Sequence, residues 1–171
     1  MKKSILSLLI LSIATFFLFA QGKSPTSEQG GTAALPAQSS DWLPGPGPEW
    51  VVHYDAALAK AKAEHKKVYV LSTGSDWCPW CVKLRNDVLM KPKFKAFAKK
   101  NLVLLYLDFP SKKKLPPEQQ RHNNTVRTML KFGGGVPSAK ILDENGQILA
   151  ERSGYAGLDA YLDFLKQAVR K

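Results

Sequence analysis

The chain has 171 residues, 44% of them apolar, and carries 25 Lys and Arg against 14 Asp and Glu, a formal charge of +11. That composition excludes a wholly disordered or collagen-like chain, and the length fits one domain with tails. The two cysteines, Cys78 and Cys81, exclude a multi-disulfide scaffold and leave no set of four thiolates for a structural zinc or an iron–sulfur cluster.

Met1-Lys2-Lys3 is basic, Ser4 to Ala20 is uncharged and rich in Leu, Ile and Phe, and Gln21-Gly22-Lys23 is polar. These are the basic, apolar and small-residue parts of a secretory signal, with cleavage expected after Ala20. The alternative is an uncleaved anchor, since residues 4–20 approach a membrane-spanning length. Either reading places the folded part in an extracytoplasmic space, expected to be the periplasm. Residues 21–49 are Gly, Ser, Thr, Gln and Pro with few large apolar groups, a composition that cannot offset its ordering entropy. They are expected to be a linker, stiffened at Leu43 to Pro48, with Trp42 or Trp50 pinning it to the domain surface. The domain then spans 50–171.

Asp55 before Ala56 to Ala63 reads as an N-capped helix of strong helix formers. Val68 to Leu71 is a short β-rich run. After a turn at Thr73 to Asp76, Cys78, Cys81, Val82, Arg85, Val88 and Leu89 fall at helical spacing, and Lys91-Pro92 breaks or bends that helix. Phe94 and Phe97 extend it by a turn or two. Leu102 to Leu107 is almost wholly apolar, as for a strand covered on both faces. Pro116-Pro117 opens a helix with Val126, Met129 and Leu130 as its stripe, ended by Gly133 to Gly135. Ala139–Leu142 and Ile148–Ala150 form a hairpin around Asn145-Gly146. Leu158, Tyr161, Leu162, Leu165, Ala168 and Val169 mark one face of a last helix. The order is β-α-β-α-β-β-α with an extra N-terminal helix. It predicts an α/β domain with a mixed central sheet flanked by helices.

Trp77-Cys78-Pro79-Trp80-Cys81 carries the chemistry. Two residues between cysteines at a helix start put both sulfurs on its first turn. Cys78, at or near the N-cap, meets the positive end of the helix and its unpaired N–H groups, so its pKa should fall below the free value of about 8.5. Cys81, one turn inward, should be more buried and less ionised. Cys78 is therefore assigned as the nucleophile and Cys81 as the resolving thiol. Pro79 helps fix the loop, and Trp77 and Trp80 supply apolar surface to meet a substrate. A passive disulfide is a poor alternative, because closing so small a loop removes little unfolded-state entropy. His53, His65 and His122 show no ligand spacing to the cysteines, so no metal site is expected.

These residues, over roughly 50–171, resemble the thioredoxin superfamily, above all exported members with Ser-Asp-Trp-Cys-x-x-Cys after the first core strand. The resemblance implies a thioredoxin fold and a cis bond at Val136-Pro137, facing the cysteines. It also implies that Val136 offers its backbone to an extended substrate segment, which adds Val136 and Pro137 to the substrate site. Two departures stand out. Thioredoxins carry a buried acid six residues before the first cysteine, where this chain has Ser72. Water or a neighbour such as Asp76 is then left to take the Cys81 proton. Pro79-Trp80 also lacks the histidine that strongly oxidising members place between their cysteines.

The expected activity is protein thiol–disulfide exchange on cysteine-containing exported proteins, reducing rather than strongly oxidising, without a bound cofactor. A membrane electron donor, or an acceptor if the protein oxidises, would recycle the dithiol. A disulfide isomerase and a non-catalytic peptide-binding module are the alternatives. A monomer is expected. Lys66-Lys67, Lys99-Lys100 and Lys112 to Lys114 are dispersed runs that suit solvated helix ends and loops. The positive charge could draw the protein to anionic lipid or acidic partners. Nucleic acid is excluded as a partner by the lack of an interleaved aromatic platform. The segment 110–117 exceeds a simple strand-to-helix loop, and either shapes the surface beside the site or is a tolerated insertion.

Overall fold

The computed structural model describes residues 47 and 49–171; the leader, nearly all of the linker and Trp42 lie outside the described residues. Strands β2 (Lys67–Thr73) and β3 (Leu102–Asp108) pair in parallel, from Lys67 opposite Leu102 to Thr73 opposite Asp108. Strand β4 (Ser138–Leu142) runs antiparallel to β2, and β5 (Ile148–Ser153) antiparallel to β4. A two-residue strand, β1 (Trp50–Val51), adds parallel to β3 at Leu104 and Leu105, giving the order β1-β3-β2-β4-β5. The mixed sheet and the succession of later elements match the sequence reading. The first strand does not appear in that reading, because two residues are too few for any periodicity to register.

Pleating sorts the strand residues onto two faces. Tyr69, Leu71, Leu102, Leu104 and Tyr106 pack with Leu84, Val88, Phe94, Tyr161 and Leu165. Val68, Val70, Val103, Leu105 and Leu107 pack on the other side with Ala57, Ala61, Val126 and Leu130. Every residue of β3 is buried, which explains its continuous apolar sequence. Each such Leu or Val side chain contributes about 1.5–3 kcal/mol through burial.

Helix α1 (Tyr54–Glu64) begins one residue before Asp55, which lies in its first turn. His53 flanks it without capping, and the Tyr54 N–H is taken by His122 Nε2 at 3.2 Å. The cysteine helix is broken earlier than Pro92. Helix α2 (Pro79–Leu84) passes into a π-helical turn at Arg85–Leu89, closed by the Met90 N–H on the Arg85 carbonyl at 2.9 Å. Helix α3 (Pro92–Asn101) then starts afresh with Pro92 at its first position, where a missing N–H costs nothing.

Helix α4 (Pro117–Met129) ends before the glycines, by a left-handed turn at Lys131 with φ 53°. The Phe132 N–H reaches back to the Arg127 carbonyl there. Met129 is 49% exposed, and Gln119 and Asn123 take its place on the buried face beside Val126 and Leu130. Gln119 donates to the Val52 carbonyl and to Asn123, which donates to the Asp108 carbonyl, so a polar stripe is satisfied inside the fold. Trp50 is likewise no surface pin. It is buried, with its ring edge-on to Tyr69 and Tyr106. The β4–β5 turn places Gly146 at φ +84°, as the Asn-Gly pair predicts. Helix α5 (Leu158–Ala168) buries Tyr161, Leu162, Leu165 and Ala168.

Candidate functional site

The loop from β2 to α2 carries the cysteines. Gly74 is buried under the Trp77 ring, where an added Cβ would lie 2.4 Å from the indole. The Cys78 N–H bonds the Gly74 carbonyl at 3.1 Å, and the Gly74 N–H donates to Cys81 Sγ at 3.4 Å. Cys78 occupies the N-cap of α2 in extended conformation, and its sulfur accepts the Cys81 N–H at 3.3 Å. Pro79 takes the first helical position, where it removes no hydrogen bond. The Sγ of Cys78 also lies 3.5 Å from the Val136 carbonyl oxygen. The Val136–Pro137 bond is cis, as the resemblance implies, and the Gly154 N–H binds the Pro137 carbonyl at 2.8 Å. The tertiary fold thus brings Cys78, Cys81, Val136 and Pro137 together across 58 residues of sequence.

Exposure does not separate the two cysteines, contrary to the sequence reading: each is 4% exposed. What separates them is their partners. Cys78 meets Val136 and the first turn of α2, whereas Cys81 faces inward on a cavity of about 10 Å3 that Thr73, Ser75, Arg85 and Tyr106 also line. Burial, reinforced by the hydrogen bond with Cys78, pushes the Cys81 thiol up to about 11. A proton must therefore be removed from it before it can attack.

No acid stands at the position the resemblance singles out. Ser72 follows Val68 and Val70 in the strand alternation, on the sheet face opposite Cys81. Its hydroxyl is buried without a hydrogen-bond partner among the described residues. The Asp76 carboxylate is engaged by the segment after β3. It accepts the N–H groups of Ser111, Lys112 and Lys113, each at 2.8 Å, and these bonds, Ser111 first, hold its pKa below the usual value. The carboxylate on the Cys81 side is Asp108, opposite Thr73 in the register and in phase with Tyr106. It is buried, accepts the Ser75 N–H at 2.9 Å and the Ser75 hydroxyl at 2.6 Å, and is pushed up by desolvation. No local pattern marks it: Asp108 ends the unbroken apolar run Leu102 to Leu107, and only the strand register puts it on the Cys81 face.

Around the sulfurs, Trp77 and Trp80 are 50% and 57% exposed, and Pro79 is exposed between them. The Trp77 Nε1–H donates to the Phe109 carbonyl at 2.7 Å. Trp80 stacks on Tyr155, with ring centroids 5.9 Å apart. The Tyr155 hydroxyl donates to Asp87 at 3.1 Å, and Lys83 pairs with the same carboxylate at 2.8 Å. Asp87 lies in the π-helical turn, so that turn braces the loop beyond β5 against the cysteine helix. Sequence reasoning misses Tyr155, because nothing near it marks a contact across 75 residues.

The Thioredoxin-like domain family model matches residues 54–169. The chain is 36% identical over 119 residues to the disulfide bond reductase DsbH of Chlamydia pneumoniae, covering 68% of this chain and 70% of that one. A solved DsbH oxidoreductase superposes with a TM-score of 0.65 at 34% identity, over 71% of this chain and 83% of the other. A thioredoxin from Thermus thermophilus, at 21% identity and a TM-score of 0.52 over 69% and 84% of the two chains, shares the fold.

Proposed function

Because the chain belongs to the thioredoxin-like family, we propose that it is a protein thiol–disulfide oxidoreductase that reduces disulfides of exported proteins. The observation that carries this reading is the placement of the Cys78 sulfur. It sits between the first turn of α2 and the Val136 carbonyl, with Cys81 one turn behind.

An extended substrate segment pairs with the Val136 backbone and rests against Trp77, Pro79, Trp80 and Pro137. The Cys78 thiolate attacks one substrate sulfur. The substrate S–S bond breaks, one substrate thiolate leaves, and a Cys78–substrate disulfide forms. Cys81 then loses its proton toward the Ser75–Asp108 pair and attacks Cys78 Sγ. The second substrate thiolate departs and the Cys78–Cys81 disulfide closes. Two electrons have passed from the dithiol to the substrate, and the dithiol needs no bound cofactor. A membrane-embedded dithiol donor restores it by the same exchange in reverse. In this reading residues 1–20 are a signal peptide cleaved after Ala20, and 21–49 a linker ahead of a monomeric domain over 50–171.

The reducing direction rests on two supports: the missing histidine between the cysteines, and the reductase name of the DsbH relative. Insulin reduction with a dithiol donor tests the activity. Equilibration of the Cys78–Cys81 pair against glutathione buffers, read by thiol trapping, tests the direction. A potential near that of thioredoxin, about −270 mV, supports a reductase, and one near about −120 mV would make it an oxidant. Failure to reduce insulin at any donor concentration would favour a binding module.

A further inference from the structure

The connection from β3 to α4 is held to the active-site loop at two points. Asp76, two residues before the nucleophile, collects the N–H groups of Ser111, Lys112 and Lys113 on one carboxylate. Trp77 fastens the start of the same segment through the Phe109 carbonyl. A tolerated insertion has no need of such anchoring, since loops extend at little thermodynamic cost. The anchored segment presents Lys112, Lys113 and Lys114, all exposed. None of the three forms an ion pair among the described residues. With Arg121 they set four cations against one acid, Glu118, over residues 110–121. Between this segment and α4 runs a groove of about 420 Å3, with Phe109, Pro110 and Leu115 as apolar wall and Lys113, Lys114 and the buried Asp108 among its polar lining.

We propose that the Lys112–Lys114 segment is a docking surface for acidic residues flanking the cysteines of the partner protein, and that Asp76 and Trp77 hold it beside Cys78 for that purpose. The inference rests on the oxidoreductase reading, and deepens it by naming the chemistry of the partner. Main-chain pairing at Val136 carries little sequence preference. Charge beside the nucleophile supplies selectivity, and it acts on the rate of encounter. An acidic protein segment is favoured over a lipid surface because the segment is anchored to Asp76 and Trp77, the two residues before the nucleophile, where a substrate disulfide has to arrive.

Three peptides of equal length, each closed by one disulfide and flanked by Asp and Glu, by Ser and Gly, or by Lys, provide the test. Second-order rate constants for their reduction are measured at low salt and at about 0.5 M, where screening shortens the reach of charge. The acidic peptide is expected to react about tenfold faster than the basic one at low salt, within the span of electrostatic steering, and the ratio to collapse at high salt. Lys112→Gln with Lys113→Gln and Lys114→Gln should bring the ratio below about twofold. A control triple, Lys62→Gln with Lys99→Gln and Lys100→Gln, has the same net charge but lies at the opposite end of the sheet, and should keep it.

Equal rates for all three peptides would overturn the proposal while leaving the oxidoreductase reading intact. So would a ratio lost equally in both triples, which would trace it to overall charge. If no peptide is reduced, the oxidoreductase reading falls. A cysteine-free acidic peptide titrated by fluorescence anisotropy then decides the surface: binding lost only in the 112–114 triple sustains it, and no binding ends it. Lysine-dependent binding to phosphatidylglycerol–phosphatidylcholine vesicles, with no preference among the peptides, would assign the segment to lipid and overturn the proposal.

Discussion

Replacing Asp108 by Asn separates attack from resolution. The Cys81 thiol is pushed up to about 11. At pH 7 a thiol with that pKa is ionised in about one molecule in 10^4, so resolution by free ionisation alone is slow. Asp108 lies one residue from the Cys81 cavity: Ser75, whose hydroxyl donates to it at 2.6 Å, is in the cavity lining. A carboxylate so placed can take the proton as the sulfur attacks, and general bases of this kind contribute about 10^2–10^4-fold. Asp108→Asn keeps the shape: its amide oxygen still accepts the Ser75 N–H, and its NH2 donates to the Ser75 hydroxyl oxygen in place of accepting from it, but the amide cannot hold the proton.

Burial raises the Asp108 pKa in the fold. Ionising it therefore costs stability that is intact below the unfolded pKa and lost as pH rises through the folded one. Asn removes that cost, so the variant is expected to be at least as stable as the parent at neutral pH. Reduced protein mixed with an aryl disulfide in stopped flow releases one coloured thiolate on attack and a second on resolution. The first phase should be unchanged in Asp108→Asn. The second should slow about 10^2-fold at pH 7 and then quicken tenfold per pH unit toward the Cys81 pKa. A second phase with the parent rate and pH profile would refute the reasoning and hand the proton to water.

Cys81→Ala is expected to accumulate a Cys78–substrate disulfide detectable by mass spectrometry, whereas Cys78→Ala should form none; trapping on the Cys78→Ala protein would reverse the assignment. Gly74→Ala forces a Cβ to within 2.4 Å of the Trp77 ring, and overpacking of this sort should cost about 1–3 kcal/mol in urea unfolding and shift Trp77 fluorescence. Asp76→Ala removes the acceptor for three N–H groups. Amide hydrogen exchange at Ser111, Lys112 and Lys113 should then quicken, with the β3 amides unaffected; unchanged exchange would show that the carboxylate does not hold the segment.

Whatever repeats along the chain or is carried by residue type was readable without coordinates. The apolar run of β3, the Asn-Gly hairpin, the stripe of α5 and the place of Cys78 and Cys81 at a helix start are local patterns, set by backbone geometry and side-chain chemistry. Where local signals compete, packing decided. Lys131 rather than three glycines ends α4, because the left-handed turn lets Phe132 bond back to Arg127. Trp50 enters the core instead of pinning the linker to the domain surface, because the ring finds Tyr69 and Tyr106 there. The buried acid lies farthest from where the resemblance puts it. Ser72 occupies the expected position on the wrong face of β2, and Asp108 occupies the right face of β3, a strand later. Its relation to Cys81 exists only once β2 and β3 lie in register, since a contact between distant segments leaves no period in either of them.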